Sequence, residues 1–178
     1  VSAIAQGDDF QPAMVAGQSL GEFSALTAAG ALTFEDGLKL VYARALAMQK
    51  ACEAAPGGMA AVMRMEDEKI EQICAEVTAQ AGKGVVVAAN YNCPGQLVIG
   101  GEKTAVDQAV LLAKAAGAKR CMPLNVSGPF HTPLMAPAGK ALAQRFRQIE
   151  FQSPSIPVIF NYLGDLNHNN YAIPDLLV

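Results

Sequence analysis

Apolar and polar positions divide the chain into short segments of different period. Pro12 to Ala16 is a brief apolar run, interrupted by Gly17-Gln18-Ser19-Leu20-Gly21. Glu22 to Ala29 then resumes with strong helix formers until Gly30 stops them. This pattern predicts a strand, a sharp turn and a helix. Thr33 and Asp36 make a capping-box-like start for a second helix, which runs to about Ala55 before Pro56-Gly57-Gly58 breaks it.

From there the periodicity changes. Met59 to Met65 reads as a strand, and Ile70, Ile73, Cys74 and Val77 fall at i, i+3, i+4 and i+7, one face of an amphipathic helix. Val85 to Asn90 and Gln96 to Ile99 read as strands joined through a Cys93-Pro94-Gly95 turn. Val106, Ala109, Val110 and Ala113 repeat the helical spacing up to a stop at Gly117. Arg120 to Val126 reads as a last strand, with Pro123 marking it as an edge. The order β-α-β-β-α-β is that of the ferredoxin-like split unit, here over about residues 58–126.

A Pro-bracketed loop, Ser127 to Pro133, follows. It leads to a helix from about Ala136 to Gln148, a strand at Ile156 to Asn161, and a polar turn at Asn167 to Asn170. The simplest architecture is an α/β fold in which residues 1–55 and 128–178 form one domain and residues 56–127 form an inserted ferredoxin-like domain.

Composition removes several function classes. Of 178 residues, 52% are hydrophobic and 16% charged, which excludes a disordered tail. No apolar run approaches the roughly 18 residues needed to cross a bilayer, so no membrane partner is expected. A net charge of −3, no Trp and 6% aromatic residues argue against nucleic acid, which wants a basic face and stacking platforms. Cys52, Cys74, Cys93 and Cys121 lack C-x-x-C spacing and read as reduced thiols of a cytoplasmic protein, not as disulfides or a metal site. The chain opens on Val1 and closes on Leu176-Leu177-Val178, so both ends are expected to be cut from a longer protein.

The sharpest chemical signal is Gly17-x-Ser19-x-Gly21 between a predicted strand and a predicted helix, the context of a nucleophile elbow. The glycines are expected because such a turn brings backbone against backbone. Ser19 at the helix N-terminus would have the Leu20 N–H aimed at a developing oxyanion. Serine needs a base, and the chain offers His131 and His168. His168 sits in an Asn-rich turn, whereas His131 lies in the loop that re-enters the domain holding Ser19. No Asp or Glu stands out as a third triad member. Arg44 is a single guanidinium in the apolar run Leu40 to Met48. It is either a snorkelling or ion-paired structural arginine, or a fork for a substrate carboxylate.

Gly17-Gln18-Ser19-Leu20-Gly21-Glu22-Phe23, the Arg44 helix, Asn90-Tyr91-Asn92-Cys93-Pro94-Gly95-Gln96, Gly117-Ala118-Lys119-Arg120 and Pro129-Phe130-His131-Thr132-Pro133 together resemble the malonyl-CoA:acyl carrier protein transacylases, acyltransferases of fatty acid and polyketide synthesis. The resemblance covers essentially the whole chain. It implies an α/β-hydrolase-like domain with an inserted ferredoxin-like domain, Ser19 as nucleophile, His131 as base, and Leu20 in the oxyanion hole. It also implies Arg44, Gln18, Phe130 and Asn92 at the substrate. In relatives the position of Gln18 is often His, and a backbone carbonyl replaces the missing acid.

The partners implied are acyl carrier protein and a coenzyme A thioester, with no cofactor. Lys119 and Arg120 are the expected docking pair for an acidic carrier, and Phe130 is expected to crowd a branched acyl group. The family's opening F-P-G-Q-G strand and its closing glutamine loop have no counterpart in this sequence. Three rival readings remain open at this stage: a serine esterase sharing the elbow, an acyltransferase module of a polyketide synthase, and a non-catalytic carrier-binding piece.

Overall fold

A computed structural model describes residues 12–80 and 82–177. The opening stretch through residue 11 and Val178, which carry the expectation of cut ends, lie outside the described residues. The chain forms two compact units, residues 1–44 with 141–178, and residues 45–140.

In the first unit, strand β1 (Val15–Ala16) leads through the Gly17 turn into helix α1 (Gly21–Ala28). Gly30, at φ 74°, ends that helix. Its N–H bonds Thr27 O at 3.1 Å, and the Ala31 N–H bonds Leu26 O at 2.9 Å. This paired closure needs a left-handed residue, for which glycine carries no Cβ penalty. Helix α2 (Phe34–Ala54) starts where the capping residues predict. The Asp36 N–H donates to Thr33 Oγ1 at 3.1 Å, and that hydroxyl donates to the Asp36 carboxylate at 2.8 Å.

Strand β6 (Val158–Phe160) pairs parallel with β1, Val15 opposite Val158, and antiparallel with β7 (Asp165–Leu166). Phe23, Leu26, Leu32, Leu40, Leu142, Phe146, Val158 and Phe160 are buried together beneath this small sheet. Strand β7 and the short helix α6 (Ile173–Leu176) are elements that the apolar pattern did not predict.

The second unit follows the β-α-β-β-α-β order through β2 (Gly57–Met63), α3 (Asp67–Ala79), β3 (Val86–Cys93), β4 (Gln96–Glu102), α4 (Lys103–Ala115) and β5 (Arg120–Pro123). Its sheet runs β3-β4-β2-β5 with every neighbouring pair antiparallel. Ile70, Ile73, Cys74 and Val77 from α3 and Val106, Ala109 and Ala113 from α4 are buried against Val62, Leu97 and Ile99, as their helical spacing requires. The alternate strand residues Met59, Ala61 and Val98 face the other way and pack with Phe130. Strand β5 is shorter than the Arg120 to Val126 run and ends at Pro123. It lies at the edge of the sheet, where the missing proline N–H costs no central ladder bond. Helix α5 (Ala136–Phe146), entered through a 3-10 turn at Pro133–Met135, leads out of this unit.

Candidate active site

The Gly17–Leu20 turn folds back so tightly that a Cβ at Gly17 would lie 2.0 Å from the carbonyl carbon of Gly21 and 2.6 Å from Glu22 N. Only glycine fits there. Gly21 is different, because a Cβ at that position meets no atom within 4 Å among the described residues. Crowding therefore accounts for one of the two elbow glycines. Ser19 takes φ 52°, the left-handed region that a β-substituted residue enters at a cost of about 1–2 kcal/mol. The turn closes with the Gly21 N–H on Gln18 O at 2.8 Å and the Glu22 N–H on Ser19 O at 3.2 Å. Leu20 already has helical angles, so Ser19 stands at the N-terminus of α1 on its electropositive side. Ser19 is half-buried, while Gln18 and Leu20 are exposed.

Helix α2 brings Arg44 to this turn. Its Nη2 donates to Ser19 Oγ at 2.6 Å. The guanidinium is half-buried, and desolvation lowers its pKa while the Glu22 carboxylate nearby opposes that shift. Glu22, in the first turn of α1, is buried and accepts from the Asn161 N–H at 2.7 Å. Burial pushes its carboxyl above the usual range, while the Asn161 N–H and the Arg44 charge pull it back. Asn161, at the end of β6, returns a second bond, its Oδ1 accepting from the Ser19 N–H at 2.8 Å.

Asn161 and Glu22 are the site residues that the sequence reading missed. Glu22 carried a usable signal, a lone carboxylate in the otherwise apolar and small-residue helix GEFSALTA. Asn161 carried only a weak one, a polar residue directly after the apolar Val158–Phe160 strand.

The remaining expected residues belong to the second unit. His131 is exposed and has φ 58°, left-handed backbone like that of Ser19, Arg64 and Asn170. Its loop is held on both sides. The Thr132 hydroxyl donates to Pro129 O at 2.6 Å, and Thr132 is buried where a Cβ at Gly100 would lie 2.9 Å from its Cγ2. Phe130 is half-buried on the Met59, Ala61 and Val98 face of the sheet. Gly128 lies over Cys52, so that a Cβ there would fall 2.1 Å from the Cys52 Sγ. Asn92 is exposed on β3, at the second of two register shifts against β4. Lys119 and Arg120 are both exposed at the start of β5. Among the described residues no group of three or more His, Cys, Asp or Glu side chains is arranged to hold a metal ion. No helix among them is long and apolar enough to cross a membrane.

The family model described as acyl transferase domain matches residues 3–171. The malonyl CoA-acyl carrier protein transacylase of Escherichia coli K12 is 46% identical over 168 residues, 94% of this chain and 53% of that protein. The crystal structure of the acyl-carrier-protein S-malonyltransferase of Burkholderia pseudomallei matches with a TM-score of 0.90 at 43% identity, over 99% of this chain and 56% of its own. A malonyl-transacylase solved in complex with its type II polyketide acyl-carrier protein gives a TM-score of 0.90 at 39% identity, over 99% of this chain and 56% of its own. The chain thus spans about half the length of the relatives it matches.

Proposed function

The chain belongs to the acyl transferase domain family, and on that footing we propose that it carries the nucleophile and the acid-recognising arginine of a malonyl-CoA:acyl carrier protein transacylase. The observation that carries the reading is the hydrogen bond from Arg44 Nη2 to Ser19 Oγ, which sets a guanidinium within reach of any acyl group attached to that oxygen. An esterase for neutral acids has no use for a desolvated cation there. An acyl group with a free carboxylate gives it a planar, charge-matched acceptor.

In this reading Ser19 Oγ attacks the thioester carbonyl of malonyl-CoA while His131 takes its proton. The tetrahedral oxyanion is stabilised by the Leu20 N–H, and the C–S bond then breaks. The departing thiolate takes the proton from His131 and leaves as coenzyme A. The phosphopantetheine thiol of acyl carrier protein next attacks the malonyl-serine ester, giving its proton to His131, which returns it to Ser19 Oγ as the ester bond breaks. The chemistry uses no resident cofactor. Gln18, Asn92 and Phe130 line the acyl group in the same reading, with Phe130 disfavouring an α-branch. The carrier docks at Lys119 and Arg120.

We read the fold as an α/β-hydrolase-like domain, residues 1–55 and 128–178, with a ferredoxin-like domain, residues 56–127, inserted. The strand-elbow-helix step and the parallel β1–β6 pair support the first part, and the β3-β4-β2-β5 antiparallel order supports the second. The similarity to a transacylase solved with a polyketide carrier favours a second reading of the carrier alone, as a polyketide one in place of a fatty acid one.

Intact mass of the full-length protein after incubation with malonyl-CoA tests the proposal. One added malonyl group on Ser19, absent from Ser19→Ala and discharged by holo acyl carrier protein, is the expected result. An adduct elsewhere, or none, overturns it.

A further inference from the structure

A serine in left-handed backbone does not hold that geometry by preference; its surroundings must fix it. Around Ser19 three hydrogen bonds close a ring. The Ser19 N–H donates to Asn161 Oδ1 at 2.8 Å, the Asn161 N–H donates to Glu22 Oε1 at 2.7 Å, and the Glu22 N–H donates back to Ser19 O at 3.2 Å. The ring ties the elbow to the end of β6, so residue 19 is held from a strand and from a helix at once. It also occupies the Ser19 N–H, leaving the following amide, Leu20, as the elbow donor for an oxyanion.

The chemistry of the two side chains suits this arrangement. Asn161 accepts the Ser19 N–H through a neutral carboxamide, so it adds no negative charge beside the Ser19–Arg44 pair. Glu22 is buried, and its carboxylate fixes the backbone of residue 161, and hence the origin of that side chain.

We propose that Asn161 is a positioning residue for the nucleophile, holding Ser19 Oγ in its reactive direction through the Ser19 N–H, and that Glu22 sets Asn161 in place. The inference rests on the reading of Ser19 as the acylated residue. It adds a device from a strand end that no resemblance assigns a role.

The test uses the full-length protein and two readouts on Ser19, labelling by a fluorophosphonate and single-turnover malonylation by malonyl-CoA. Asn161→Leu removes the acceptor and keeps the bulk. It should slow both reactions by about 10- to 100-fold, the scale of a small misplacement of reacting atoms, with KM for malonyl-CoA changed less than about threefold. Asn161→Asp keeps an acceptor oxygen and should recover at least a third of the lost labelling rate on a logarithmic scale. Glu22→Gln, which keeps an oxygen for the Asn161 N–H, should label faster than Glu22→Leu.

If Asn161→Leu melts below the assay temperature, Asn161→Ser, too short to reach the Ser19 N–H, takes its place with the same expectation. Labelling of the apolar or shortened variant at the wild-type rate overturns the inference, as does an Asp variant no faster than it. A wild type that labels with fluorophosphonate but takes up no malonyl overturns the malonyl reading and leaves the Asn161 comparison intact, because that comparison is made with the phosphonate.

Discussion

Arg44 Nη2 donates to Ser19 Oγ at 2.6 Å, so a cationic N–H occupies a lone pair of the hydroxyl proposed to attack. A cationic donor draws electron density from that oxygen and holds it back as a nucleophile. A bound carboxylate is a stronger acceptor than a neutral hydroxyl. In the proposed reading its arrival would both engage the arginine and relieve Ser19, making the acid group of the substrate part of its own activation.

That relationship makes the first prediction one of selectivity. Arg44→Ala should lower acylation by malonyl-CoA roughly 10- to 100-fold while acetyl-CoA acylation stays level or rises. Arg44→Lys should restore malonyl transfer only in part, since a point charge cannot form the planar pair. Single-turnover rates with the two thioesters measure this. Equal losses for both would return Arg44 to a structural role.

The two elbow glycines should respond in opposite ways. Gly17→Ala forces a Cβ into the Gly21 backbone at 2.0 Å, and the strand-to-helix turn must shift to admit it. A loss of about 3 kcal/mol or more in unfolding free energy is expected, with loss of Ser19 labelling. Gly21→Ala meets open space at the start of a helix and should be neutral or stabilising by up to about 1 kcal/mol. Chemical denaturation of the two variants side by side decides the matter.

Glu22 predicts a pH dependence with a definite sign. Its carboxyl is raised above 4.5 in the fold, chiefly by burial, so between 4.5 and the raised value the folded state binds more protons than the unfolded one. Stability due to this group therefore falls as pH rises through that window, and the whole penalty is present above it. Glu22→Gln keeps an acceptor for the Asn161 N–H without the charge. It should be at least as stable as wild type at pH 7, with the advantage shrinking as pH falls toward 4.5. Melting curves of both proteins across that range, compared by difference, isolate Glu22 from the other carboxylates. A constant difference would show that burial of the charge carries no cost here.

The parts of this fold that were legible in advance are those where one residue type answers to one local requirement. Ile70, Ile73, Cys74 and Val77 are all buried because helical spacing alone puts them on one side. Thr33 caps α2 through its own neighbour three positions on. Ser19 and Arg44 could be singled out because each breaks its surroundings, a serine between glycines and a cation among apolar residues.

Asn161 was not legible for the opposite reason. Its meaning comes from Ser19, 142 positions away, and nothing in the local pattern around Val158–Phe160 points there. The apolar run from Pro12 to Ala16 did announce a strand, but not its two-residue length or its partner β6, which lies outside any local window. Gly21 was legible as part of a pattern but not as a steric necessity. Spacing does not reveal which glycine the backbone crosses.

The proposed carrier-docking pair gives the last prediction. Lys119 and Arg120 are exposed at the start of β5 in a chain whose net charge is −3, so an acidic partner needs such a local basic pair to approach. Charge reversal at both should raise KM for holo acyl carrier protein and flatten its salt dependence, leaving acylation by malonyl-CoA nearly unchanged. Steady-state transfer at several ionic strengths measures this. An unchanged carrier KM would move docking to Lys140 and Arg145 of α5 and Arg147 just beyond its end.

Gly128 and Cys52 share a single volume, since a Cβ at 128 would fall 2.1 Å from the Cys52 Sγ and 2.9 Å from its Cβ. A side chain at 128 requires the sulfur at 52 to rotate aside or be absent, so the cost of leaving glycine there depends on the residue at 52. Cys52→Ala removes the 2.1 Å approach and leaves the 2.9 Å one, so Gly128→Ala should cost less in that background than in the wild type. The coupling between the sites should show as strong non-additivity in a double-mutant cycle. What the chain can carry at 128, three residues before His131, is thus conditioned by a cysteine on a helix more than seventy positions earlier.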